Sequence, residues 1–244
     1  MAFAHAADRN KAPLLLQEGS HPPGGGSRGG QSACRWIYHP GIAKPRPPLP
    51  LEDGVLASIR PRFKFRMKFL SETSALEKLH ELKTRFTARV RTGYEHRAKD
   101  CGICETRGAC CLDAHFVNVH VTRLEAEGIK RVMSTWPDEK QNNVLRRIQH
   151  TIDDYNLNET GDTFAMTYAC PLFEKEVGCL IHEKGKPLPC IAHACYEKKE
   201  DLPPDEMLAE QEGLVEKLNE LAYRKPAKWL PLPVAVIQRL KCND

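Results

Sequence analysis

Cysteine spacing constrains this chain more than any other feature of its sequence. Ten cysteines occur in 244 residues, and eight of them fall into two dense groups. The first is Cys101-Gly102-Ile103-Cys104, followed after five residues by Cys110-Cys111. The second is Cys170-Pro171, then Cys179, Cys190 and Cys195. A stretch of 58 residues, 112–169, separates the two groups. Cys34 and Cys242 stand apart near the two ends and read as bystanders.

Three chemistries compete for such a pattern. Structural disulfides need an oxidising compartment, and the sequence carries no export signal: Leu14-Leu15-Leu16 is too short for the apolar segment of one. A redox Cys-x-x-Cys belongs at a strand-to-helix junction, where a helix N-terminus lowers a thiol pKa. Here the pair follows a charged helix end, Glu95 to Asp100, and more cysteine comes after it. Metal binding fits best, because soft thiolates select zinc or iron–sulfur centres over magnesium or calcium. Gly102 permits the tight turn that lets Cys101 and Cys104 converge on one metal. Neighbouring side chains diverge in extended chain, so Cys110 and Cys111 would strain to share one small ion. A multi-iron cluster, or two separate sites, accommodates them more easily. His115, His182 and His193 lie close to cysteines in sequence and are secondary ligand candidates.

Charge is distributed unevenly. Residues 1–66 hold ten Lys or Arg against four Asp or Glu, and residues 67–244 hold 26 against 28. The whole-chain excess of +4 therefore belongs to a leader that also carries 8 of the 16 glycines and 9 of the 18 prolines. Such a leader cannot bury enough apolar surface to offset its ordering entropy, so 1–66 reads as disordered. Met67 offers an alternative natural start. The folded part is slightly acidic, which argues against a nucleic-acid partner. No apolar run approaches the roughly 20 residues that cross a bilayer, and the expected location is cytoplasmic. Partner and oligomeric state are unassigned.

Residues 67–244 read as one small domain. A helix is expected from a capping box at Ser74-Ala75-Leu76-Glu77, with Leu79, Leu82, Phe86, Val90 and Tyr94 on one face. Asp100 to Asp113 is a cysteine-bearing loop. Val117, Val119 and Val121 alternate as in a short strand, and Thr122-Arg123-Leu124-Glu125 is a second capping box. Trp136-Pro137 ends that helix, and a third follows with Val144, Leu145, Ile148 and Ile152. Residues 156–200 are broken by glycine and proline. A fourth helix then starts after Pro203-Pro204, with Met207, Leu208, Leu214, Val215, Leu218 and Leu221 as its buried side. The tail from Trp229 to Leu240 is apolar enough to pack back on the domain. The fold class is mainly α, with irregular metal-bound loops and a short β-element.

The cysteine motifs together resemble the YkgJ-like family of cysteine-cluster proteins, described as zinc- or iron-chelating and named for a CxxCxxxCC motif. The likeness covers about residues 101–195. It rests on Cys101-Gly102-Ile103-Cys104 with Gly108-Ala109-Cys110-Cys111, on Cys170-Pro171, and on Cys179-Leu180-Ile181-His182 running to Lys186-Pro187-Leu188-Pro189-Cys190. Departures are the five-residue gap after Cys104, His182 in place of the usual tyrosine, Ile191 where arginine is common, and the additional Cys195. The resemblance implies a bound zinc or iron species without an established reaction. Some longer relatives resemble flagellin lysine methylases, but no glycine-rich nucleotide-binding fingerprint is present here.

The expectation is thus a metal-binding protein that holds zinc, iron or a 4Fe-4S cluster. Its ligands are Cys101, Cys104, Cys110, Cys111, Cys170, Cys179, Cys190 and Cys195. Two alternatives remain open. One is a metal-centred redox or methyltransferase-like group-transfer enzyme, whose catalytic residues the sequence does not name. The other is a structural zinc module that mediates protein interactions. Asp153-Asp154 reads as a solvated helix end, not a carboxylate site.

Overall fold

The structure, a computed structural model, describes residues 69–99, 108–112 and 117–241. The leader 1–66 lies outside the described residues, as do Cys34, Cys101, Cys104, His115 and Cys242. Within the described residues the fold is mainly helical, with two small antiparallel β-pairs, as the sequence leads one to expect.

Helix α1 spans Glu72–Gly93. Its start lies a few residues before the expected box, because Ser71 is the N-cap and its side chain accepts the Ser74 N–H at 3.1 Å. That bond satisfies one of the orphan donors of the first turn. Ala75, Leu79, Leu82, Phe86 and Val90 form the buried stripe. After the single-turn helix α2, Ala109–Leu112, the chain enters strand β1, His120–Val121. Helix α3, Arg123–Met133, opens on the expected capping box, with both reciprocal bonds between Thr122 and Glu125 present. It closes at Ser134, and Pro137 then caps helix α4, Asp138–Asp154. Asp138 and Glu139 in the first turn of α4 complement the positive end of its dipole. Asp153 and Asp154 are exposed at its other end, as expected.

The irregular region carries a hairpin of β2, Phe173–Glu174, and β3, Gly178–Cys179, and then the short helix α5, Leu188–Ala192. Helix α6, Asp205–Tyr223, stops on Arg224 in the left-handed conformation, two residues before Pro226. Strand β4, Leu230–Pro231, pairs antiparallel with β1, and helix α7, Leu232–Lys241, follows directly. The tail does pack back on the domain: Leu232, Val234, Ala235 and Val236 are buried.

Helix α3 divides the interior. Its Leu124 joins a cluster built from the stripe of α1 with Leu188, Ile191, Met207 and Val215. Its Ala126, Ile129 and Met133 join a second cluster with Val144, Ile148, Tyr168, Leu172, Ile181 and Val236. The face of α6 departs from expectation, because Leu214 is 44% exposed and Asn219 is buried at 3% exposure. The reason is the start of α3. Asn219 Oδ1 accepts the Leu124 N–H at 3.1 Å, a donor that the first turn of a helix leaves unpaired. Two buried ion pairs cross the helices, Lys83–Glu125 at 2.9 Å and Arg239–Glu127 at 3.0 Å.

Candidate metal centre

Cys110 and Cys111 sit on α2, directly after Gly108, whose φ is +85°. Any Cβ at Gly108 would stand 2.0 Å from Cζ of Phe173, so only glycine lets the ring of β2 close over this turn. The same closure joins the two cysteine groups through the backbone: the Cys170 N–H donates to the Cys111 carbonyl at 2.7 Å. Cys170 starts a turn that closes when the Phe173 N–H donates to its carbonyl at 3.2 Å. Phe173 in turn pairs with Cys179 across the hairpin. Between the groups, the described residues 117–169 form β1, α3, α4 and their connections and return the second group to the first.

Cys190 arrives from the other side. It lies in α5, where Leu188 and Ile191 anchor the helix in the α1 cluster, while Cys170 and Cys179 pack against the other cluster. The segments that carry these thiols therefore border both cores. Cys195 lies further along this segment, and its carbonyl accepts the Lys99 N–H at 2.8 Å in an antiparallel bridge. Lys99 precedes Cys101 by two residues in sequence. Cys101 and Cys104, both expected ligands, lie outside the described residues.

Cys110, Cys111, Cys170, Cys179 and Cys190 are free thiols, each partly buried. The Cys110 and Cys111 thiols interact on the turn of α2, each shifting the pKa of the other. The cause is local: on a helical turn successive side chains are about 100° apart, not on opposite faces. Of the three candidate histidines, His193 is brought to the thiols and hydrogen-bonds Cys110. His182 is exposed in the turn after Cys179.

Electrostatically, the pair polarises. The hydrogen bond from Cys111, then that from His193, holds Cys110 well below the ordinary thiol range. Cys111 is pushed far up by the same bond, by burial and by the proximity of Cys110, Cys170 and Cys190. Burial pushes Cys170 up to about 11, with Cys179 adding to it and the Arg147 guanidinium opposing it. Cys190 is raised by burial and by Cys170, against the pull of Lys186 and Lys83. At Cys111, Cys170 and Cys190 a neighbouring thiolate thus disfavours ionisation. Only a cation among them lets several ionise together, and a soft one binds thiolates best.

The donor set fits zinc or an iron–sulfur centre on those grounds. Among the described residues, no three His, Cys, Asp or Glu side chains stand ready-arranged as a metal-ligand set. Arg147, Lys83 and Lys186 are the cationic neighbours that sequence reasoning missed. Their spacing on the helices and the turn matches that of any solvated residue, so no signal in the sequence marked them. No family model, no curated protein and no solved structure matches the chain.

Proposed function

We propose that this protein binds zinc or an iron–sulfur centre through its two cysteine groups. The observation that carries the reading is the Cys111–Cys170 backbone bond, with Cys190 and Cys179 gathered around it. Segments distant in sequence and rich in thiols are folded together, and Cys111, Cys170 and Cys190 are each raised in part by a neighbouring thiol, an arrangement that a bound cation relieves. The ligands are Cys101, Cys104, Cys110, Cys111, Cys170, Cys179 and Cys190, with Cys195 at the edge of the set. The motif resemblance to the YkgJ-like proteins supports the same chemistry. When bound, the metal supplies a cross-link between the two groups. The chain's residues supply charge balance, from Lys186 and Arg147, and shelter from water.

No helix of the described residues is long and apolar enough to cross a membrane. A reducing compartment such as the cytoplasm keeps the thiols available for metal. The surplus of thiols over the four that one zinc needs favours iron.

Elemental analysis with a visible spectrum, on full-length protein purified without oxygen, tests the reading. A brown protein with iron and acid-labile sulfide supports a cluster, and a colourless protein with stoichiometric zinc supports a structural module. Metal-free protein with oxidised thiols contradicts both.

A further inference from the structure

His120, the first residue of β1, is buried at 3% exposure, and neither Nδ1 nor Nε2 reaches a hydrogen-bond partner. Its ring is stacked against that of Phe164, with centroids 4.3 Å apart and planes inclined by 28°. Phe164 lies in the single 3-10 turn Thr163–Ala165, and Asn118 Nδ2 donates to its carbonyl. The segment is bounded on both sides. Gly161, at φ +76°, has no atom within 4 Å of the place where a Cβ would stand. Tyr168 is anchored, its N–H donating to the Val117 carbonyl at 3.0 Å and its hydroxyl to that of Val119. Burial holds the His120 ring below the ordinary pKa of 6.5, against backbone groups of Asn118 and Thr163 and the Asp162 carboxylate, which favour its charged form. The buried charges of the helices packed on β1 are paired, Glu127 of α3 with Arg239 of α7 and Glu125 of α3 with Lys83. Lys228, ahead of β4, pairs with Glu159.

We propose that residues 162–166 are a strap that closes over neutral His120 and opens when the imidazole is protonated. The proposal is independent of the metal-binding reading. A neutral imidazole can lie hidden in the aromatic stack. Protonation puts an N–H on both nitrogens and a full charge where neither has a hydrogen bond, so the charged ring is stabilised by reaching water. Opening leaves the body of the domain in place: Phe164 swings away about Gly161, and Tyr168 fixes the chain beyond. It also admits water to Asn118 Oδ1, another buried polar atom without a partner. The closed state binds the proton less tightly than the open one. Closure is therefore fully stable above pH 6.5 and weakens below it, by up to about tenfold per pH unit, until the closed ring itself protonates.

The experiment follows native-state hydrogen exchange in full-length wild type and His120→Phe from pH 7 to pH 5, with each rate corrected for the intrinsic exchange rate at that pH. His120→Phe keeps an aromatic ring against Phe164 and cannot titrate. The amides read are those of Ala165 and Met166, which donate to the Asp162 and Thr163 carbonyls at 3.2 and 3.1 Å, with the amides of α4 as an internal reference. Between pH 7 and pH 5, wild type should lose about tenfold of its protection at Ala165 and Met166 relative to α4, and His120→Phe should lose none. A flat wild-type profile overturns the proposal, as does an equal fall in His120→Phe. If that variant does not fold, an NMR titration of the His120 ring in wild type and Phe164→Ala decides. The ring should titrate below pH 6.5 in wild type and move towards 6.5 when the Phe164 ring is removed. The same value in both proteins overturns the proposal.

Discussion

Burial makes Glu212 on α6 a weaker acid than an ordinary carboxyl group, with its pKa pushed up to about 7 from 4.5. Burial is the main cause, and Glu125 and Glu216 add repulsion. An acid whose folded pKa lies above its unfolded value binds protons more tightly in the native state. Stability from this group therefore falls as pH rises from about 4.5 to about 7, and is level above. Glu212→Gln should remove that fall: urea midpoints should match wild type at pH 4 and exceed it at pH 8. Parallel curves for the two proteins would refute the assignment. Asn219 makes the complementary case. Asn219→Leu strands the buried Leu124 N–H and should cost about 1–3 kcal/mol in urea unfolding. A neutral result would mean that the donor finds another partner. Neither residue was legible in the sequence. Helical periodicity gave Leu214 a buried place and Asn219 none, because the group that requires Asn219 lies 95 residues away.

The capping of α3 is local and was therefore legible. Thr122 and Glu125 are three residues apart, and both reciprocal bonds form. Thr122→Ala should cost about 1 kcal/mol, within the roughly 0.5–2 kcal/mol span for cap removal, read from urea unfolding at constant m-value. An unchanged midpoint would show that the start of α3 is held by Asn219 alone. The similar pattern at Ser74 misled by one turn, since Ser71 offers the same side-chain acceptor three residues earlier. Elements defined by distant partners were harder to read. Val117 and Val121 are buried as an alternating strand predicts, yet the paired strand is only His120–Val121, because its partner β4 offers just two residues. The cysteine loop also holds a helical turn, α2, that its composition did not announce. That turn is what brings the Cys110 and Cys111 thiols together.

At the scale of the whole molecule, the two hydrophobic clusters meet along α3, and the thiols lie where the loops of both come together. The cysteine spacing made the candidate ligands legible, but not their neighbours. Lys83, Arg147 and Lys186 act electrostatically on Cys170 and Cys190 from α1, α4 and the turn before α5, positions that only the tertiary fold relates. A site absent from the unfolded chain adds its binding free energy to stability, so a metal cross-link between the two groups would contribute directly to folding. Losing a ligand should then act globally. On the proposed ligand set, Cys190→Ser should lower metal content and stability together, because a metal held by Cys190 would tie the α5 segment to the Cys170 turn. Full metal content in that variant would remove Cys190 from the ligand set.

The most direct test of the account is the thermal midpoint of the full-length, anaerobically purified chain with and without a strong chelator, alongside Cys104→Ser. The account predicts that chelation and the substitution each lower the midpoint. A loss of about 5 kcal/mol corresponds to roughly 10–20 °C for a domain of 150–250 residues. A wild-type midpoint that chelation does not move, with full stability in Cys104→Ser, would contradict it.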